Sequence, residues 1–221
     1  MSVLPAIGHM RPGDHYCGIY RTDDDHRAII VDFVRDGMGR NEKMFYLVNI
    51  QTAAQLRATL AGADIPVDQL IERGPLVILT AREAYLKDGQ FDPDKMIGLL
   101  GEETDKALAE GYTALRATGE MTWALAGEPG SERLVEYEAR LNHFFPHSKC
   151  YAVCQYDRRR FDADMLLDIL YTHPKVLFGR EGYDNSRMYY VPPDAFMEHD
   201  RQTATLDTWL KNLSRAGSTP D

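Results

Sequence analysis

Short, nearly continuous apolar runs alternate along this chain with longer stretches in which apolar side chains recur every three or four positions. That alternation marks buried strands separated by helices. Residues 1–14 read as a lead-in loop with a turn at Arg11-Pro12-Gly13-Asp14, and His15–Tyr20 as the first strand. Asp23 or Asp24 is placed to cap a helix over Asp25–Asp36, which Gly37 and Gly39 close. Lys43–Val48 is the second strand, and Thr52 caps a helix running through Ala61. Val67–Glu72 forms a short helix ended by Gly74, and Leu76–Thr80 the third strand. After the polar loop Asp88–Asp92, Pro93 opens a long helix towards Ala109 that Gly111 stops. Ala114–Thr118 is a fourth strand interrupted by Arg116, and Gly119–Gly130 is loop with room for one helical turn. Ser131–Phe145 is a helix with Leu134, Tyr137 and Leu141 on one face, and Cys150–Gln155 is the fifth strand. His173-Pro174 ends the helix Ala163–Tyr171, and Val176–Phe178 and Met188–Val191 are the sixth and seventh strands.

This order predicts an α/β fold, a mostly parallel sheet with helices on both faces. Residues 1–198 form one domain in this reading, and residues 199–221 a separate tail. Within the tail, Leu206, Trp209, Leu210 and Leu213 are spaced i, i+3, i+4, i+7 over a helix at 201–214. Such a stripe either docks on its own domain or joins a partner, including a second copy in a homodimer. The last residues, Ala216–Asp221, are expected to be disordered or to mark where a longer protein was cut.

Composition narrows the function. The chain has 221 residues, a net charge of −9 and 44% apolar residues. The negative charge argues against direct nucleic-acid binding, since the one compact basic run is Arg158-Arg159-Arg160. Three cysteines, Cys17, Cys150 and Cys154, without a leader pattern point to free thiols in the cytoplasm. No apolar stretch is long enough for a membrane span.

The chemistry gathers at the first strand and the loop after it. A phosphate cradle there needs glycines, which free backbone N–H groups, and a lysine. Residues 20–28 contain neither, and Asp23-Asp24-Asp25 would repel a triphosphate, so ATP hydrolysis at this junction is not expected. His15 and Cys17 share one strand face, with Cα atoms about 7 Å apart. With Cys154, and with Cys150 or His173 nearby, they could hold a soft metal or a haem edge, or form a Cys–His dyad whose thiolate the imidazolium makes reactive. The commoner outcome for such residues is a buried thiol beside a hydrogen-bonded imidazole. The carboxyl ends of the strands, where ligands of open α/β sheets bind, carry Tyr20-Arg21, Asn49-Ile50-Gln51, Thr80–Glu83, Glu120–Trp123 and Gln155–Arg158. This aromatic and polar mixture suits a small organic molecule better than a polyphosphate.

Several motifs fall in a recognisable order. They are His15-Tyr16-Cys17-Gly18-Ile19-Tyr20, Gly119–Leu125, Tyr137–Asn142, Cys154–Phe161 and Thr172-His173-Pro174. Together they resemble the methanogen/methylotroph, DcmR-type sensory (MEDS) domain over roughly residues 8–195. The resemblance implies a RecA/KaiC-like three-layer fold without its phosphate loop. It also implies a non-enzymatic input domain for small hydrocarbon derivatives, relaying to a histidine kinase or transcriptional regulator. Asn49, Ile50 and Gln51 stand where KaiC-type enzymes carry catalytic carboxylates after the second strand. On this reading His15, Cys17 and Tyr20 floor the site, Glu120, Trp123 and Tyr156 form its rim, and Arg21 and Asn49 complete the ligand set. No cofactor is required. The metal alternative uses His15, Cys17 and Cys154.

Overall fold

The computed structural model describes residues 3–4, 7–179, 181–198 and 201–216. The expected end segment from Gly217 to Asp221 lies outside them. In chain order the strands are β1 (Val3–Leu4), β2 (His15–Tyr20), β3 (Lys43–Val48), β4 (Leu76–Thr80), β5 (Leu115–Glu120), β6 (Cys150–Asp157), β7 (Lys175–Phe178) and β8 (Glu181–Asp184). The helices are α1 (Asp23–Gly39), α2 (Ala53–Ala61), α3 (Val67–Arg73), α4 (Ala81–Ala84), α5 (Pro93–Ala109), α6 (Leu134–Phe144), α7 (Ala163–Thr172), α8 (Pro193–Phe196) and α9 (Arg201–Ala216).

The strands make one sheet in the order β1-β8-β7-β2-β6-β5-β3-β4. From β7 to β4 all neighbours run parallel. β8 turns back antiparallel on β7, and β1 pairs antiparallel with β8. β2 and β6 lie at the centre with every residue buried, as parallel strands covered on both faces must be. One apolar layer joins Tyr16 and Tyr20 of β2 to α1, α2 and α3. The other joins Cys17 and Ile19 to residues of α4, α5, α6 and α7. The molecule thus has three layers, with the sheet between two helical ones.

Several expectations are corrected. The cap of α1 is Thr22, not an aspartate: its hydroxyl accepts the Asp25 N–H, and the Asp25 carboxylate accepts the Thr22 N–H in return. The three acids occupy the first helical turn, where the helix dipole favours them. Met188–Val191 is not a strand. Asn185 donates its N–H to the Pro174 carbonyl and accepts the N–H of Tyr189 and Met188, winding this segment into a turn. The strand beyond β7 is Glu181–Asp184, whose sequence carries no apolar run. The lead-in contains β1 and a 3-10 turn at Ile7–His9, so it is not loop throughout. Arg116 does not break its strand, because β5 runs from Leu115 to Glu120 with all six residues buried.

Candidate functional site

The parity of β2 decides how the candidate residues divide. Side chains alternate along a strand, so His15 and Cys17 face the α5–α7 layer while Tyr20 faces α1. The expected single floor is therefore split by the sheet. Tyr20, Asn49 and Glu120 reach the carboxyl edge on or near the α1 side, whereas Arg21 turns to the opposite face, over Phe178. His15, Cys17 and Tyr156 lie in the opposite layer, buried to 1%, 0% and 0% exposure. Trp123 is not on a rim. The 3-10 turn Met121–Ala126 carries it into an aromatic group, stacked on Tyr85 at 4.7 Å and tilted against Phe91 at 4.6 Å. Gly119 makes this packing feasible, since a Cβ there would strike the Tyr85 hydroxyl.

At the carboxyl edge Glu120 organises the loop after β3. Its carboxylate accepts the backbone N–H of Asn49 at 2.8 Å, of Ile50 at 2.6 Å and of Gln51 at 3.3 Å, and the Gln51 side-chain amide at 2.6 Å. Asn49 also donates to the Thr122 hydroxyl at 3.0 Å. Gln155 sits beneath, donating to Tyr46 and Thr118 and bonded to His26 at 2.7 Å. His26 stacks on Tyr20 with ring centroids 4.2 Å apart, and burial lowers its pKa. The recess above this network holds about 530 Å³ and is lined by Asp23, Asp24, His26, Ile50, Gln51 and Gln55 among others. Its amides are already used by Glu120 and its helix N-terminus is self-capped, so it offers a phosphate few free N–H groups.

On the other face a groove of about 430 Å³ opens between β7 and α7. Its lining is apolar, with Ile19, Leu166, Leu170, Val176 and Phe178, and Arg158 as the one charged side chain. Arg21, on the loop after β2, places its guanidinium 4.6 Å above the Phe178 ring. Sequence reasoning missed this groove because its residues are spread over β2, β7, α7 and the loop after β6, and apart from Ile19 and Arg158 none lies in a motif.

Beneath the groove lies a buried polar cluster. His15 Nε2 is 3.2 Å from Glu138 Oε2, and His173 Nε2 is 3.4 Å from the same oxygen. Cys154 Sγ is 3.6 Å from His15 Nε2, and the Tyr156 hydroxyl donates to Glu138 Oε1. Burial, with His173 beside it, lowers the His15 pKa to about 4. Burial works to raise that of Glu138, but the two imidazoles outweigh it and hold the carboxyl below its usual range. Burial also pushes the thiols up, Cys150 to about 12 and Cys17 and Cys154 well above their usual values, with Glu138 adding to the shift at the latter two. A Cys–His dyad with an activated Cys17 thiolate is thus not what this layer builds. Haem has no room either: the space beside Cys154 measures about 10 Å³. Glu138 was not singled out in the sequence, although it lies inside the Tyr137–Asn142 motif. A glutamate on a helix face gives no sign of burial until the helix is placed.

The chain has a three-layer architecture that is a RecA-like α/β fold. Its fold matches a KaiC-like protein of Pyrococcus horikoshii, with a TM-score of 0.54 and 12% identity over 76% of this chain and 71% of that one. It also matches the flagellar accessory protein FlaH of Methanocaldococcus jannaschii, with a TM-score of 0.56 and 9% identity over 78% and 74%. Residues 14–174 match the model of the MEthanogen/methylotroph, DcmR Sensory domain, and the chain belongs to that MEDS family. The transcriptional repressor DcmR of Methylorubrum extorquens is 27% identical over 161 residues, which are 72% of this chain and 58% of the repressor. The chain thus spans little more than half the length of that relative. No helix among the described residues is long and apolar enough to cross a membrane.

Proposed function

We propose that this MEDS domain is a non-enzymatic signal-input domain for a small, predominantly apolar organic molecule, held in the groove between β7 and α7. The groove itself carries the reading. Its volume of about 430 Å³ suits a small molecule, its walls are aliphatic and aromatic, and Arg158 supplies one polar contact for orientation. The polar recess over Glu120 supports no phosphoryl chemistry, because Asp23 and Asp24 face it and its backbone donors are occupied. The family membership and the repressor relative support a regulatory role in the same direction.

Cys17 and Tyr156 then belong to the same apolar cluster as Ile19 and Leu166, and His15 is buried on the same face of β2. Arg21 flanks the mouth through Phe178, while Tyr20, Asn49 and Glu120 belong to the opposite face and the neighbouring edge. The output route is α7. Tyr171 at its end packs on Trp209 of α9, centroids 5.5 Å apart. Leu206, Leu210 and Leu213 of α9 are 53%, 53% and 68% exposed and offer an apolar surface to a regulatory partner. A ligand shifts this arrangement only as far as its affinity differs between the two positions of α7.

The test is methyl NMR of the purified protein, titrated with short alcohols, ethers, halogenated hydrocarbons and small aromatics. Saturable shifts centred on Ile19, Leu166, Leu170 and Val176 are expected, and Val176→Trp should remove them. The reading fails if no compound perturbs these methyls, or if ATP with magnesium binds and turns over.

A further inference from the structure

The buried cluster beneath the groove has an electrostatic defect that hydrogen bonding within the protein does not repair. The Asn142 amide nitrogen is committed to the carbonyls of Glu138, Ala139 and Thr172, at 3.1, 3.1 and 2.7 Å. Its oxygen therefore faces His15 Nδ1, at 3.1 Å, and that nitrogen must carry the proton. His173 Nδ1 lies 2.8 Å from the Ile169 carbonyl, an acceptor only, and so is also the protonated nitrogen. In the neutral state both Nε2 atoms then present lone pairs to a single carboxylate oxygen of Glu138. His173 Nε2 makes no hydrogen bond among the described residues. Two lone pairs and a carboxylate oxygen, all buried and beside a thiol, call for a cation between them.

The distances suit one. Ligand atoms around a tetrahedral metal, with bonds of about 2.0–2.2 Å to nitrogen or oxygen and 2.3 Å to sulfur, stand roughly 3.3–3.7 Å apart. Three of the contacts measure 3.2, 3.4 and 3.6 Å, and all four ligand atoms lie within 4.8 Å of one another. The widest separation has to close by roughly 1 Å, within reach of side-chain rotation. Both imidazoles already donate their remote N–H to an oxygen, the outer hydrogen bond that fixes a ligating histidine.

We propose that His15 Nε2, Glu138 Oε2, Cys154 Sγ and His173 Nε2 form a closed four-ligand site for a thiophilic divalent cation of the zinc type. On binding, the Cys154 thiol releases its proton to solvent, one metal–sulfur and one metal–oxygen bond form, and each imidazole donates a lone pair. A divalent ion with one thiolate, one carboxylate and two neutral imidazoles carries no net charge, which suits full burial. The four ligands leave no open position, so the site is structural, not catalytic. It would fasten β2, α6 and β6 to the end of α7, the helix that lines the groove. The site is independent of the ligand reading above. Cys17, adjacent to Cys154 in the sheet register, is not one of the ligands. The sequence-based set of His15, Cys17 and Cys154 is thereby revised to one containing Glu138 and His173.

The test uses protein expressed in cobalt-supplemented minimal medium, read by visible absorption, alongside metal analysis of protein from zinc-supplemented medium. Expected are about one metal per chain, strong tetrahedral d–d bands and a thiolate-to-cobalt charge-transfer band. Cys154→Ser should abolish the charge-transfer band, whereas Cys17→Ser should keep it. Asn142→Leu should weaken zinc binding by roughly 10–100-fold. A metal-free protein, or the weak spectrum of six-coordinate cobalt without charge transfer, would overturn the site even if the Cys154 variant failed to fold. Loss of the band in Cys17→Ser but not in Cys154→Ser would overturn the ligand assignment.

Discussion

Arg116 keeps a full charge inside the α1 layer because its partners converge on it. Its guanidinium donates to Glu42 at 2.8 Å and to the Phe33 carbonyl at 3.1 Å, and pairs with Asp36. The Tyr151 hydroxyl adds a further bond to Glu42. Replacing Arg116 by Leu strands a buried carboxylate and should lower stability by about 3–5 kcal/mol. In urea denaturation the double variant Arg116→Leu/Glu42→Met should recover much of that loss, and equal losses in the two would refute the pairing argument. His26 behaves in the opposite sense. Burial lowers its pKa below the usual 6.5, while Glu120, Gln155 and Asp157 work to raise it. Above pH 6.5 the imidazole is neutral in folded and unfolded chains alike and contributes nothing to pH dependence. As pH falls through 6.5 the unfolded chain takes up the proton first, so stability declines towards the lower folded pKa. An NMR titration should place His26 below 6.5, and Glu120→Gln should move it lower still. A midpoint at or above 6.5 would contradict the burial argument.

At the scale of elements, α7 meets three surroundings. Leu166 and Leu170 line the groove, His173 just beyond the helix reaches the buried cluster, and Tyr171 contacts Trp209. Its Asp162 cap accepts the Met165 N–H at 2.8 Å, which fixes one end while the other meets α9. Trp209 also donates its indole N–H to the Tyr189 carbonyl at 3.4 Å. The stripe on α9 is therefore divided, with Trp209 docked and the leucines exposed. Trp209→Ala removes an aromatic contact worth about 0.5–1.5 kcal/mol beyond its area, so amide exchange across α9 should quicken roughly two- to tenfold. Unchanged exchange would mean that α9 is held by something other than this contact.

For the whole molecule, periodicity made most of the sheet legible. Lys43–Val48, Leu76–Thr80 and His15–Tyr20 are strands with the expected limits, because each is a short, largely apolar run bounded by polar or turn residues. Glu181–Asp184 escaped, since this short strand is held by backbone pairing to β7 and β1 and carries no apolar run. The site was less legible. Each residue near His15 was visible as a residue type, but only the packing of α6 and α7 brings His15 and His173 to one oxygen of Glu138. Which strand face a residue takes is also fixed by register, and this separated Tyr20 from its supposed companions. The self-capped start of α1 has a consequence for physiology. ATPases of this architecture spend their first loop on a nucleotide, so their state follows the cell's energy charge. Here Thr22 and Asp25 satisfy that helix end with the protein's own atoms. Under the proposed sensing role, a helix end closed in this way would leave the signal to the groove's ligand and not to ATP.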